Sequence, residues 1–396
     1  MKTRVFFQAM LLLLLFPGQA TAMELRTTLG LETRLFFQEP AYDEQKDTSG
    51  SGSLNLEIFH QFDSGSSITV EPFYRIDSSD PQRNHGDLRV CNYLYPVDRW
   101  QVVIGFDKVF WGVTEFVHLV DIINQTDTLE SIDGEEKLGQ PMLHLLTGID
   151  WGTIELFMLP YFRTRASPGK KGRLRGPEPI DSSHSEFESS AERNHLDFAL
   201  RYSHTLGGFD IGVAEFIGTS REPAWIEKIS GESDQSRIPY YQQISQTSID
   251  LQYISGAWLW KVEALYRLQQ ERNSGATVFG LEYTIVNPWE TSLEIGLVGE
   301  YVYDDRTEIQ PAPYENDLML GVRLNMNDAK TTELLLGLVL DTQNESTIIT
   351  MEASRRLHDG LKLELCGALL NQIDETDPAY SLHRDSFVML KAIFYY

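Results

Sequence analysis

The sequence predicts a transmembrane antiparallel up-and-down β-barrel of about 18 strands, within a range of 16–18. Three observations predict this all-β fold. Apolar and polar residues alternate along many short segments, short and long connections alternate between those segments, and the last segment ends on the aromatic residue Tyr396. A strand with lipid on one face and a polar interior on the other has this period of two.

The N-terminus has the three parts of a secretory signal. Lys2 and Arg4 precede an apolar stretch, which is followed by Ala20-Thr21-Ala22, a small-x-small cleavage site. The apolar stretch is shorter than the roughly 20 residues that a membrane-spanning helix needs. We therefore expect a cleaved signal peptide over 1–22 and a single barrel domain over 23–396.

Composition excludes some classes of function. Without Lys2 and Arg4, the chain has 31 basic against 58 acidic residues, so a general nucleic-acid binder is excluded because phosphate binding requires a basic surface. Cys91 and Cys366 lie far apart with no CxxC spacing, which favours unpaired cysteines over a disulfide and suggests no metal site. We expect no cofactor.

The strands follow from alternation. In the first one, Leu29 and Leu35 share one parity and Arg34 has the other; in the fourth, we expect Val90 and Leu94 to face lipid. The predicted strands cover 24–37, 54–62, 68–76, 87–94, 100–106, 140–149, 153–165, 194–204, 209–218, 245–254, 257–268, 276–286, 291–303, 317–325, 332–341, 346–356, 360–370 and 385–396.

The connections alternate in length, as they do between the periplasmic turns and the external loops of an outer-membrane barrel. This requires an even number of strands and places both termini on the periplasmic side. The short turns are 63–65, 96–99, 150–152, 205–208, 255–256, 287–290, 325–330 and 358–360. The longer loops are 39–52, 77–86, 111–139, 166–193, 219–243, 269–275, 304–316, 342–345 and 371–384.

The last strand predicts the location of the protein. Val388, Leu390, Ala392, Phe394 and Tyr396 alternate up to the final residue, and this pattern resembles the signal that the outer-membrane barrel-assembly machinery reads. A soluble sheet would leave such an edge strand unprotected, whereas a closed barrel has no edge. We expect a Gram-negative-type outer membrane, with its lipid and lipopolysaccharide as partners.

The interior parity carries many charges of both signs. Paired charges would plug and stiffen the barrel, whereas segregated charges would create a transverse field for polar or ionic solutes, and the sequence does not order them around the ring. The interior candidates are Arg26, Arg34, Arg75, Arg89, Arg163, Arg201, Arg267, Arg323, Glu71, Glu263 and Glu300, together with Glu352 and Glu364.

The segment 103–127, VIGFDKVFWGVTEFVHLVDIINQTD, is the most distinctive in the chain. Strand parity breaks after Trp111-Gly112, and the apolar residues from Phe116 to Ile123 have near-helical spacing. An apolar external loop would be unstable in water, so we expect 111–135 to fold inward as a constriction. The alternative is a helix on the barrel rim.

This segment resembles one found in Gram-negative outer-membrane channels of the porin-like and alginate-export-like type, a family of unknown substrate. The corresponding residues here are Gly105-Phe106-Asp107, Trp111-Gly112, Asp121, and Asn124 with Asp127. The Arg-Gln that often follows the glycine of the first element is replaced by Phe106-Asp107. The resemblance implies a passive conduit of about 18 strands.

The function that follows is passive passage of a small polar or ionic solute, with export of a polymer as a further possibility. About 18 strands enclose a lumen too wide for side chains alone to fill. A closed barrel with a structural or adhesive role is the alternative, and an outer-membrane hydrolase is a weaker one, because the histidines show no catalytic motif. The basic half of loop 166–193 could attract anions, although a mobile solvated loop is the more common explanation of such a segment.

Overall fold

The computed structural model describes residues 23–131, 133–228, 236–270, 272–306, 312 and 314–396. The predicted signal peptide, 1–22, lies outside the described residues. The strands are β1 Glu24–Phe36, β2 Thr48–Gln61, β3 Ser67–Asp77, β4 His85–Val97, β5 Trp100–Asp107, β6 Gln140–Ile149, β7 Gly152–Leu159, β8 Glu186–Phe187, β9 Asp197–Leu206, β10 Phe209–Thr219, β11 Ala224–Lys228, β12 Ser236–Tyr241, β13 Gln243–Ser255, β14 Trp258–Leu268, β15 Ser274–Val286, β16 Glu294–Asp304, β17 Asn316–Asn325, β18 Glu333–Asp341, β19 Thr347–His358, β20 Leu361–Asn371 and β21 Phe387–Tyr395. Short 3-10 turns occupy Pro81–Arg83, Ser182–His184, Glu192–Asn194, Pro288–Glu290 and Pro378–Leu382.

Eighteen of these strands form one closed antiparallel barrel, which confirms the predicted fold class. Each barrel strand pairs with the next one along the chain, and β21 pairs with β1 to close the ring, from Thr28 opposite Tyr395 to Phe36 opposite Phe387. The strands β8, β11 and β12 form a separate small sheet. Across the described residues, no helix is both long and apolar enough to cross a bilayer.

The predicted strands match the observed ones closely, and the prediction for β6 has the observed bounds. The strand predicted over 153–165 is too long, because β7 ends at Leu159. Pro160 follows it and has no N–H to donate to a neighbouring strand. Arg163 therefore lies in a connection and not on a strand.

The parity predicted for β4 is wrong beyond Arg89. Glu71 pairs with Val90 but Pro72 pairs with Leu88, so Arg89 is an extra residue in a β-bulge. A bulge moves every later side chain to the opposite face. Val90 therefore faces the interior, and so does Leu94, which pairs with the interior residue Val103 of β5.

The outward face of the barrel is apolar and exposed over most of its strands, with residues such as Leu29, Ile104 and Leu390 directed away from the interior. Aromatic pairs border this surface near the short turns. These include Tyr93 with Tyr95, Trp151 with Tyr202, Phe209 with Tyr253, and Trp258 with Tyr283. Such a belt is typical of the interface between a bilayer and water.

The two cysteines are unpaired, as the sequence favoured. Cys91 pairs with Phe106 on the outward parity. Cys366 pairs with Glu352 and Met389 on the inward parity. The barrel wall therefore separates the two thiols.

Candidate functional site

The described residues of the connection between β5 and β6, 108–131 and 133–139, lie inside the barrel, and we call this connection the inner segment. Trp111, Val120 and Ile123 are buried against interior side chains of β6, β7, β9, β10 and β13, including Phe157 and Phe216. Farther around the ring, Leu119 packs on interior residues of β14–β16. The inner segment thus covers a broad arc of the interior wall with apolar contacts.

Two buried carboxylates bind the backbone of the inner segment. Oε1 of Glu263 accepts hydrogen bonds from the Val113 N–H at 2.6 Å and from the Thr114 N–H and hydroxyl at 3.1 and 2.7 Å, while Oε2 accepts from the Val120 N–H at 3.2 Å. Glu300 accepts from the next two N–H groups, those of Glu115 and Phe116, at 2.7 and 3.0 Å. Hydrogen bonds to a charged acceptor are stronger than neutral ones, so these carboxylates fix the position of the segment.

Glycines make room where the inner segment touches the wall. A Cβ on Gly337 would lie 3.0 Å from the ring of Phe116, and one on Gly321 would lie 3.1 Å from it. Gly112 has a φ of +144°, and a Cβ there would lie 2.9 Å from Glu263 Oε1. A residue other than glycine at 112 would strain the backbone and crowd this carboxylate.

The residues of the motif noted in the sequence lie within or beside the inner segment and hold its conformation. The Asn124 side chain accepts from the Val109 N–H and donates to the carbonyls of Asp107 and Leu138, joining the exit of β5 to the entry of β6. Three further contacts brace the segment: Asp121 accepts from the Trp111 N–H at 3.3 Å, Asp121 pairs with Lys137 at 2.9 Å, and Asp127 pairs with Arg89 at 2.8 Å. Burial raises the pKa of Asp121 despite the nearby Lys137 charge.

The near-helical spacing of 116–123 does not produce a helix. Apart from an isolated β-bridge between Thr126 and Lys137, the described residues of 108–139 form turns and irregular chain only. The reason lies in the hydrogen bonds, because the N–H groups from Val113 to Phe116 donate to Glu263 and Glu300. The apolar side chains also point to different arcs of the wall, whereas an amphipathic helix would present one face.

Most of the predicted lumen charges are placed on the inward face of a barrel strand. These are Arg26, Arg34, Arg75, Arg89, Arg201, Arg267, Arg323, Glu71, Glu263 and Glu300. Arg163 lies beyond the end of β7, and its guanidinium donates to Asp87 at 2.6 Å. Arg26 remains largely exposed near the short-turn end.

Charges under the inner segment are paired. Arg75 contacts Glu32 at 3.0 Å and Glu130 of the inner segment at 2.6 Å. Arg201 contacts Asp250 through two hydrogen bonds, at 2.7 and 2.9 Å. Buried charges require such pairing. The ion pairs stabilise the part of the barrel wall that lies under the inner segment.

The wall formed by β19 and β20 is different. Glu352 faces the interior and is exposed, and Asp133, Glu135, Glu115 and Glu364 lie around it. Glu115 is paired with Arg323 at 2.5 Å and Glu364 with Lys362 at 2.9 Å. Among the described residues, no cation lies within ion-pair distance of Glu352. A cavity of about 380 Å³ here is lined by side chains that include Arg323, Glu333, Glu352, Lys362, Glu364 and Cys366.

One ion pair of the inner segment also faces this side. His118 Nε2 lies 2.7 Å from Glu135 Oε1. Burial lowers the pKa of His118, but the hydrogen bond to Glu135 and its negative charge together raise the pKa by more, so the net shift is upward. The same hydrogen bond lowers the pKa of Glu135.

Two groups of side chains resemble a metal site and a catalytic triad, but neither has the arrangement that such a site requires. His85, Asp127 and Glu130 offer atoms within 4.8 Å of one another, but Arg89 and Arg75 already bond the two carboxylates, and their charges would repel a metal ion. Ser183 and Asp181 both contact Nδ1 of His184, whereas a catalytic triad places its serine and aspartate on opposite ring nitrogens.

The sequence did not single out Glu115, Asp133 or Glu135, because their roles depend on where the inner segment lies. One signal in the sequence could have predicted which part of the interior wall the inner segment covers. Val278 and Val302 are apolar residues on the inward parity and are fully buried, which requires a covering segment.

The basic loop also differs from the mobile, solvated loop considered above. Arg173 and Arg175 are buried. Arg173 donates to Asp385 at 2.6 Å, and Arg175 lies 4.0 Å from the ring of Tyr42.

No protein-family model and no curated protein sequence matches this chain. Its structure is similar to that of a BenF-like porin from Pseudomonas fluorescens Pf-5, with a TM-score of 0.55 and 10% identity over 96% of this chain and 99% of the porin. It is also similar to OmpT, an outer membrane protein of Vibrio cholerae, with a TM-score of 0.50 and 8% identity over 95% of this chain and 99% of that one. At these identities the likeness shows the fold alone, so the resemblance to alginate-export-like proteins stays a prediction. This chain has a porin-type β-barrel fold.

Proposed function

We propose that the protein is an outer-membrane channel through which small polar solutes diffuse passively, with cations favoured over anions. The closed ring, the exposed apolar outer surface and the aromatic belt support a place in a bilayer. The segment 111–135, within the inner segment, narrows the bore and displaces it toward β19 and β20.

The observation that carries the proposal is the contrast between the two arcs. The arc under the inner segment is filled by apolar contacts and paired charges. The open arc presents the carboxylates of Glu352 and Asp133, neither of which has an ion-pair partner among the described residues. The nearby Glu115 and Glu364 are paired with Arg323 and Lys362. A water-filled passage with excess negative charge concentrates cations and repels anions.

Planar-bilayer recording of the full chain tests both parts of this proposal. We expect discrete conductance steps, and a reversal potential in a KCl gradient that indicates cation preference. Glu352→Gln and Asp133→Asn should each reduce that preference, whereas Asp63→Asn, in the exposed turn after β2, should not.

Three outcomes would change the proposal. Absence of steps would favour the closed structural or adhesive barrel. Steps with anion preference would retain the channel but contradict the cation preference. One-sided block of the current by an added charged polysaccharide would favour the export of a polymer.

A further inference from the structure

We propose that residues 165–176, which we call the strap, form a lid over the outer mouth of the barrel and that the Arg173–Asp385 ion pair latches it. This inference rests on the proposed channel function. It concerns access to the bore, whereas the inner segment sets the bore itself.

The strap crosses the end of the barrel that carries the long loops. It follows β7, which ends at Leu159, and lies on the inner segment, where the Thr128 hydroxyl donates to the Ala166 carbonyl at 2.5 Å and the Arg165 guanidinium donates to Gln125 at 3.1 Å. It then reaches the loops beside β21 and β1. Strands β1–β6 separate its origin from this contact along the ring.

The contact at the far side is a buried latch. The Arg173 guanidinium donates to Asp385 Oδ1 at 2.6 Å and to the Arg384 carbonyl at 2.5 Å. The Leu174 N–H donates to the other carboxylate oxygen of Asp385 at 2.8 Å. Asp385 therefore holds two consecutive residues of the strap.

Most other contacts of the strap with the rim are also polar, apart from the guanidiniums of Arg173 and Arg175, which lie over the rings of Phe36 and Tyr42. Gln45, between β1 and β2, donates to the Gly172 carbonyl at 2.6 Å, and the Gly169 N–H donates to Asp80 at 2.9 Å. Of the apolar side chains between 165 and 176, only Leu174 is buried. The inner segment differs here, because it contributes Trp111, Val120, Ile122 and Ile123 to an apolar cluster.

The latch also holds a strained residue. Leu174 has a φ of +58°, a left-handed conformation that is unfavourable for a branched side chain. Strain at this position opposes the latched state, and the bonds of Asp385 offset it. A segment held mainly by polar bonds against local strain, with little apolar packing, has the physical properties of a releasable lid.

Weakening the latch tests this proposal. Arg173→Gln and Asp385→Asn should each raise the mean single-channel conductance or abolish brief closures, and the double variant should resemble the single ones because both act on one pair. The matched control is Arg272→Gln, since Arg272 is an exposed arginine between β14 and β15. Heat-modifiable migration in SDS gels verifies that each barrel is folded.

A cross-link tests the same motion without altering the latch. The Lys171 Nζ and Glu44 Oε2 atoms, both on exposed residues, lie 3.3 Å apart. In a background with Cys91→Ser and Cys366→Ser, Lys171→Cys with Glu44→Cys can be joined by a bis-methanethiosulfonate. The bridged protein should remain in the low-conductance state, and reduction should restore the openings.

The possible outcomes separate this proposal from the channel itself. If the wild type conducts and the folded latch variants and the bridged protein conduct identically to it, the lid is refuted and the channel stands. If the wild type is silent and the latch variants conduct, the lid keeps the channel closed. If all variants are silent, the channel proposal fails and the lid proposal fails with it.

Discussion

Glu263 gives the sharpest prediction, because a single buried side chain anchors the inner segment. Glu263→Ala removes the acceptor of four hydrogen bonds, three from backbone N–H groups and one from the Thr114 hydroxyl. The Thr114 hydroxyl also bonds the Val117 carbonyl, so only the three N–H groups lose their partner. We expect the attached segment to become less stable relative to a detached one.

The magnitude follows from those three groups. A buried donor left without a partner costs about 1–3 kcal/mol, so the lower limit for three donors is about 3 kcal/mol. Since 1.4 kcal/mol corresponds to a factor of 10 in an equilibrium, the detached population should rise about 100-fold or more. Glu263→Gln should have a smaller effect, because its amide oxygen can retain the three donors on Oε1 while its NH₂ group faces the Val120 N–H.

Single-channel recording measures this change. Glu263→Ala should conduct more than the wild type and with larger current noise, and Glu263→Gln should lie between the two. The control is Glu57→Ala, because Glu57 is an inward-facing carboxylate on β2 that contacts Arg26. If the folded Glu263→Ala barrel has wild-type conductance and noise, the anchoring role of Glu263 is wrong.

Two further predictions concern the same segment. Cation preference should increase as the pH rises above 6.5 and passes through the raised pKa of His118, because the imidazolium loses its positive charge there. The lowered pKa of Glu135 keeps this carboxylate ionised over the same range. His118→Gln should remove the dependence, and an unchanged slope in that variant would contradict the assignment. Gly337→Val should lower the conductance, because a Cβ there would overlap Thr350 Oγ1 and lie 3.0 Å from the ring of Phe116, and relief of the second contact moves the ring into the bore. Gly299→Val, on the outward face, should leave the conductance unchanged.

The strands could be predicted from the sequence because each one separates two different environments. Apolar and polar residues alternate regularly in β1, β5 and β21, where the side chains of one parity contact the interior and those of the other do not. The bulge at Arg89 could not be predicted, since an extra residue leaves no mark in a short pattern of apolar and polar residues. Only the pairing with β3 reveals it.

The inner segment was harder to predict than the strands. Its apolar content indicated an inward fold, but its spacing suggested a helix. Its conformation depends on Glu263 and Glu300, which lie more than 140 residues away in the chain. Contacts at such separation follow from barrel closure and strand register, and a local window of sequence contains neither.

The same interior composition serves two purposes because burial differs around the ring. Where the inner segment excludes water, an unpaired charge would be too costly, so Arg75, Glu32 and Glu130 bond one another. Where water remains, as around Glu352, a carboxylate needs no partner and its field extends into the passage. The position of one loop thus divides the interior charges into a set that braces the wall and a set that faces the open part of the interior. The sequence shows charges of both signs on the inward parity, but only the position of the inner segment determines which of them are neutralised.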